Sequence, residues 1–305
     1  MSQQTKPMKQ QLKNTFTLKL LAFCARQPLS RLYKMGSWLG RLLYRFGGRS
    51  VEVTKINVDL CYPLLNSKDK KQLITTSLQE TLRTGFEFGW CWQADVKEVL
   101  GSIKTVYGLE HLEMAHQQGK GVIVLGPHLG NWELFGLFMS ANYPMTAMYA
   151  VPKIAELDQI ITKGRSRLDM QMVPANLKGV AQLLRKLQQG DVVGVLPDQE
   201  PDDRSGGVFA PFMGVEALSP KLVTRLIAKT GAQVVAGFAK RLPNGEGFEI
   251  HLIPADSFIY SADEREAVSA MNRMVEQLVA IAPEQYQWEY KRFKSRPNEG
   301  KDPYP

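Results

Sequence analysis

The chain has 305 residues, 44% hydrophobic and 22% charged, with 25 Gly and 17 Pro. That is an ordinary globular composition, which excludes collagenous, disordered and disulfide-stapled classes and suffices for a large buried core. Thirty-eight Lys and Arg against 30 Asp and Glu give a net charge of +8, and residues 1–50 hold ten of the basic residues and no acid. The other 255 residues therefore sum to −2. A nucleic-acid enzyme would spread its positive charge through the main domain, so no nucleic-acid partner is expected. A basic N-terminal segment fits an anionic membrane surface instead. Three cysteines, Cys24, Cys61 and Cys91, lack Cys-x-x-Cys spacing and point to a reducing compartment, with neither a disulfide framework nor a thiolate zinc site.

No segment reaches the roughly 20 apolar residues of a membrane span. The longest apolar run near the start, Leu20 to Ala25, is also too short for a signal-peptide core, and no small-residue cleavage site follows. The expected location is the cytoplasmic side. After Pro28, residues 29–46 predict a helix ended by Gly47-Gly48. Wound at about 100° per residue, Leu32, Met35, Leu39, Leu42, Leu43 and Phe46 share one sector, with Arg31, Lys34, Arg41 and Arg45 in the neighbouring one. Tyr33, Trp38 and Tyr44 lie near the apolar edges. An apolar stripe beside a basic flank suits a helix lying in a membrane interface, with Lys and Arg stems along the apolar surface. Residues 1–50 are therefore set apart as a basic amphipathic membrane segment, and 51–305 as the main domain.

Residues 67–89 predict a helix with a cap at Ser67. Strand-like and helix-like segments then alternate: strand 121–126, helix 131–140, strand 145–151, helix 155–169, helix 176–189 and strand 191–196. A helix from Ser219 to Lys229 precedes a hairpin of strands 233–240 and 247–253 around Pro243-Asn244-Gly245, and a last helix covers 263–281. This order predicts an α/β single domain with a mostly parallel central sheet flanked by helices and an antiparallel edge. Ligands in such sheets bind beyond the carboxyl ends of the strands, which singles out the loops 126–131 and 197–212.

Gly126-Pro127-His128-Leu129-Gly130-Asn131-Trp132-Glu133 follows an apolar strand and opens a helix. On a continuous helix His128 and Glu133 would lie about 140° apart. They meet only if the His128 ring folds back over the first turn. A carboxylate on Nδ1 would then fix the tautomer and raise the basicity of Nε2, as a general base needs. His111, His116 and His251 have no such context and read as structural. No Gly-x-Ser-x-Gly occurs, which argues against a serine hydrolase.

The His-x-x-x-x-Glu block resembles the signature of the glycerolipid acyltransferase superfamily, and GPHLGNWELFG looks like the late acyltransferases of lipid A biosynthesis. Asn57-Val58-Asp59-Leu60-Cys61-Tyr62-Pro63, residues 173–201, Leu218-Ser219-Pro220 with TRLIAKTGAQVV, and PEQYQWEYKRFKSRP (283–297) are similar to further blocks of that family. The resemblance runs from about residue 15 to 297. It implies a glycerol-3-phosphate acyltransferase-like fold at the cytoplasmic face of the inner membrane. The implied reaction moves a fatty acyl chain from acyl carrier protein to a hydroxyl of a lipid A precursor, with no cofactor and no metal. Carried over, His128 is the base, Glu133 its partner and Arg165 an active-site arginine that neutralises an oxyanion or holds a phosphate. Arg167 is the alternative to Arg165, since positions two apart on a helix diverge by about 200°. Asn131, Arg167 and Asp198 are assigned to substrate binding. In 197–203 four carboxylates crowd together. Asp198 is expected to reach the pocket, and Glu200, Asp202 and Asp203 are expected to be solvated. Lys291, Arg292, Lys294 and Arg296 are a basic surface that would steer the acidic carrier protein or lipid phosphates, or a solvated terminal segment. The same chemistry on another membrane glycolipid or phospholipid, and a catalytically silent adaptor, are the alternatives; an intact His128–Glu133 pair speaks against the adaptor.

Overall fold

The described chain opens with the helices α1 (Met8–Cys24), α2 (Leu29–Phe46), α3 (Arg49–Cys61) and α4 (Ser67–Gln93). In this computed structural model the described residues are 8–152, 154–297 and 300–305, with side chains from residue 14 onward. Lys6, and the side chains of Lys9 and Lys13, counted above in the basic segment, lie outside them. Among the described residues no helix is long and apolar enough to cross a membrane. The first-fifty boundary falls at the start of α3. The α4 cap is Asn66 rather than Ser67; its side chain accepts from the Asp69 N–H.

The chain continues through α5 (Val96–Gly101), β1 (Ile103–Tyr107), α6 (Leu109–Gln117), β2 (Val122–Leu125), α7 (Trp132–Asn142), β3 (Met145–Tyr149), α8 (Ala155–Arg165), β4 (Gln171–Pro174), α9 (Leu177–Gln188) and β5 (Val192–Val195). It ends with β6 (Gly207–Phe212), β7 (Val215–Pro220), α10 (Leu222–Thr230), β8 (Gln233–Arg241), β9 (Phe248–Pro254) and α11 (Glu264–Ile281). Seven strands form one sheet in the order β1-β9-β8-β2-β5-β3-β4. Every neighbouring pair is parallel except the β8–β9 hairpin. The mostly parallel sheet flanked by helices is therefore present, as one α/β domain.

Alternation along the strands divides the core into two layers. Val122 and Val124 of β2 pack with Leu134, Leu137 and Met139 of α7, while Ile123 and Leu125 pack on the other face with Leu183 of α9 and Leu278 of α11. Both faces of β2 and β5 are buried, so these strands read as unbroken apolar runs.

One predicted helix is shorter than expected. The helix predicted from Ser219 begins at Leu222, because Val215–Pro220 is strand β7, paired antiparallel with β6 in a separate two-stranded ribbon. The apolar sector of α2 is fully buried only at its Leu32 edge. Leu32, Gly36, Ser37 and Gly40 are buried in α2, which packs along α4. A Cβ on Gly36 would lie 2.7 Å from Arg83 Cα, and one on Gly40 2.4 Å from Gln79 Cα. The small residues let the two backbones touch, and that turns Trp38 (59% exposed) and Phe46 (80%) outward beside the exposed Arg31, Lys34, Arg41 and Arg45.

Under this helical layer lies a buried ionic cluster. Arg241 of β8 donates Nη1 to Glu80, Nε and Nη2 to Glu87 and a further Nη2 bond to Thr84, and Arg83 pairs with Glu80.

Candidate active site

Strands β2 and β5 are parallel neighbours, with Leu125 aligned to Val195. Three residues beyond each lie His128 and Asp198, so the sheet register itself delivers the two side chains to one point. The loop after β2 is fixed on both sides: Gly130 N–H donates to Gln285 O and Asn131 N–H to Ala239 O, while His128 O accepts from Gln287 N–H. Gly130 has φ 59°, and a Cβ there would sit 2.1 Å from Ala239 O, so this position admits only glycine.

His128 Nδ1 lies 2.9 Å from Asp198 Oδ1, and the His128 backbone N–H donates to Asp198 Oδ2, also at 2.9 Å. One carboxylate thus grips both ring and main chain. Asp198 is 3% exposed. Burial alone would push its carboxyl up, but the His128 ring, its N–H and the nearby Arg292 charge hold it below the usual carboxylate range. An ionised Asp198 requires Nδ1 to carry the proton and leaves the Nε2 lone pair as an acceptor. The ring meets Trp132 edge-on at 5.0 Å.

The expected contact between His128 and Glu133 is replaced by this one. Glu133, in the first turn of α7, faces α4 and α8. Its Oε2 accepts from Trp92 Nε1 at 2.8 Å and Arg165 Nε at 2.9 Å, and its Oε1 from Arg165 Nη2 at 2.5 Å. His128 lies in the loop before α7 and is held toward the end of β5, whereas Glu133 sits in the first helical turn, so the two side chains diverge. Glu133 and Arg165 therefore form a planar two-point pair, and burial, which would lower Arg165, is outweighed by Glu133, which raises it. Arg165 Nη1 has no hydrogen bond among the described residues.

Beside these groups a narrow apolar cleft of about 70 Å³ runs between β2, β3, β5 and α7. Gly126, Trp132, Glu133 and Arg165 line it near the His128 loop, and Gly136, Met145, Met170 and Gly194 are among its apolar walls.

Other assignments need correction. Asn131 is fully buried as the α7 N-cap; its Oδ1 accepts from Leu134 N–H and its Nδ2 donates to Glu87, leaving nothing for substrate. Arg167 points away from the cleft. Its guanidinium donates to the carbonyls of Ala94, Cys91 and Gly164, tying α4 to the turn after α8. Glu200 is buried rather than solvated, accepting from Ser295 N–H, while Asp202 and Asp203 are exposed as expected. Arg292 leaves the expected basic surface: it is 2% exposed and donates to Leu218 O and Ser219 Oγ. The three cysteines are buried and free, and burial pushes Cys24 up to about 11 and Cys61 up to about 12.

The family model for bacterial lipid A biosynthesis acyltransferases matches residues 6–295. The chain belongs to this family. It is 28% identical to the lipid A biosynthesis lauroyltransferase of Escherichia coli K12 over 272 residues, 88% of this chain and 87% of that one. It is 30% identical to the palmitoleoyltransferase of the same strain over 284 residues, covering 92% and 91%. A Haemophilus influenzae lipid A biosynthesis acyltransferase is 26% identical, covering 95% and 88%. Membership makes the chain an acyltransferase of lipid A synthesis.

Three groups around His128 and Glu133 escaped the sequence reading. Gln199, directly after Asp198, places Nε2 3.2 Å from His128 Nε2 and 3.2 Å from Gln287 Oε1. Glu289 is half-buried and accepts from Thr81 Oγ1; its seclusion pushes its carboxyl up, against a backbone hydrogen bond and the Thr81 hydroxyl. Trp92 orients Glu133. The signal in the sequence was that Gln199 falls in the block 173–201 and Glu289 in 283–297, which marks segments and not contacts.

Proposed function

We propose that this protein transfers a fatty acyl group from acyl carrier protein to a hydroxyl of a lipid A precursor at the cytoplasmic face of the inner membrane. The observation that carries the reading is the Asp198–His128 dyad at the carboxyl end of the sheet, against the apolar cleft. The acceptor hydroxyl gives its proton to Nε2 as its oxygen bonds to the thioester carbonyl carbon. Asp198 stabilises the imidazolium that results. Collapse breaks the C–S bond, and the imidazolium returns the proton to the leaving thiolate. The spacing and the family resemblance both pair His128 with Glu133; in this reading Glu133 instead holds Arg165 beside the cleft. Arg165 Nη1 then meets the carbonyl oxygen or a lipid phosphate. The hydrocarbon tail of the donor lies in the cleft.

The membrane part rests on α2. Its outward face combines Trp38 and Phe46 with four basic residues, the arrangement that binds an anionic interface. Acidic carrier protein is steered by exposed basic groups such as Lys294.

The test is an acyl-transfer assay with a panel of acyl-acyl carrier proteins and tetra-acylated lipid A precursor, with and without its Kdo sugars. The expected result is a mass gain of one acyl unit that disappears in His128→Ala. No gain with any donor, from a folded protein, would overturn the assignment of donor and acceptor.

A further inference from the structure

Resting on the acyl-transfer reading, we infer that Gln199 is a removable plug on the base, holding the place of the acceptor hydroxyl and denying it to water. The lone pair that must take the proton already accepts a bond from the protein. A side-chain amide nitrogen only donates, so its two protons serve His128 Nε2 and Gln287 Oε1, each at 3.2 Å. The same bond supports the tautomer set by Asp198 from the other side of the ring.

Water is the rival of the acceptor. The His128 side chain is 15% exposed, so solvent approaches the ring, and an uncovered Nε2 beside a thioester would activate it. Water would give one proton to Nε2 while its oxygen bonds to the carbonyl carbon. The C–S bond would break, and the proton would return to sulfur, leaving a fatty acid and a free thiol. No further reactant is needed. The lipid hydroxyl is held by the rest of its molecule and displaces the amide, whereas a free water has no such anchorage. Because Gln199 is half-buried on the loop after β5, displacement needs only a side-chain rotation.

The test measures acylated lipid and released fatty acid in one tube, using purified full-length protein, labelled acyl-acyl carrier protein and lipid A precursor. In Gln199→Ala the ratio of fatty acid to acylated lipid should rise at least tenfold, with transfer kept within severalfold. Gln287→Leu, which frees the amide from its second anchor, should raise the ratio less. In the His128→Ala background, Gln199→Ala should add no hydrolysis, since the gain runs through Nε2. An unchanged ratio, a gain that survives loss of His128, or loss of both reactions with an unchanged melting temperature would overturn the plug. A wild-type protein that acylates no lipid would instead sink the acyl-transfer reading. His128-dependent hydrolysis rising in Gln199→Ala would support the plug even then.

Discussion

His128 and Asp198 are 70 positions apart and meet because two parallel strands end level with each other. His128 was legible as a candidate base from its Gly/Pro loop after an apolar strand. Its partner was not, because sequence offers only near neighbours and Glu133 was the nearest acid. Asn131 was visible as a polar residue beside the base, yet its position one residue before the helix makes it a cap. Asp198→Asn should lower kcat by about 10³–10⁴, the scale of removing the carboxylate that orients a catalytic histidine, with little change in KM. Steady-state kinetics on the purified variant checks this. The two site carboxyls also set opposite pH dependences. Asp198 titrates lower in the folded chain than in the unfolded one, so its stabilisation is complete above its ordinary value of 3.8 and is lost as pH falls through the lowered one. Glu289 titrates higher when folded, so stability falls as pH rises from its ordinary 4.5 through the raised value. Melting curves should therefore show Glu289→Gln gaining on the wild type at pH 8 and matching it near pH 4. Asp198→Asn should lose more at pH 7 than at pH 3.

The ends of α2 were readable to the residue, since Pro28 and Gly47-Gly48 frame a clear period. Its buried face was not, because the seam on α4 is made of Gly36, Ser37 and Gly40, which carry almost no hydropathy signal. Gly40→Val should push α2 off α4 and destabilise the protein by about 1–3 kcal/mol, measured by urea unfolding. The double variant Trp38→Ser, Phe46→Ser should leave the melting temperature within a degree or two while weakening binding to anionic liposomes severalfold. High salt should weaken the wild type as well. The β6–β7 ribbon was missed for a related reason. It pairs only with itself, and Gly214 in its turn lies at φ 77° between segments that read as one long loop.

At the scale of the molecule, alternation of strand and helix disclosed the fold class, and the carboxyl-end rule disclosed where the site had to lie. The depth of the cleft was invisible, because its walls come from β2, β3, β5 and α7 together. Two of those walls are glycines facing methionines. A Cβ on Gly194 would lie 2.3 Å from Met145 Cε, and one on Gly136 3.2 Å from Met170 Cε. Methionine yields where branched side chains would not. Gly136→Ala should narrow the cleft and shift preference toward shorter acyl donors, read as the ratio of kcat/KM across a chain-length series.

The ionic cluster beneath α2 and α4 bears on how the chain is made. Glu87 and Arg241 are 154 positions apart. At synthesis rates of about 5–20 residues per second, roughly 8–30 s separate their arrival. During that interval α1 to α4 exist as a nascent layer whose inner side carries Glu80 and Glu87 without the guanidinium that completes their set. Glu80 has Arg83 on its own helix, but Glu87 takes its guanidinium from β8, so burying it before β8 arrives would leave a carboxylate without its cation. Where one arginine is encoded therefore sets when the helical layer can close without that cost.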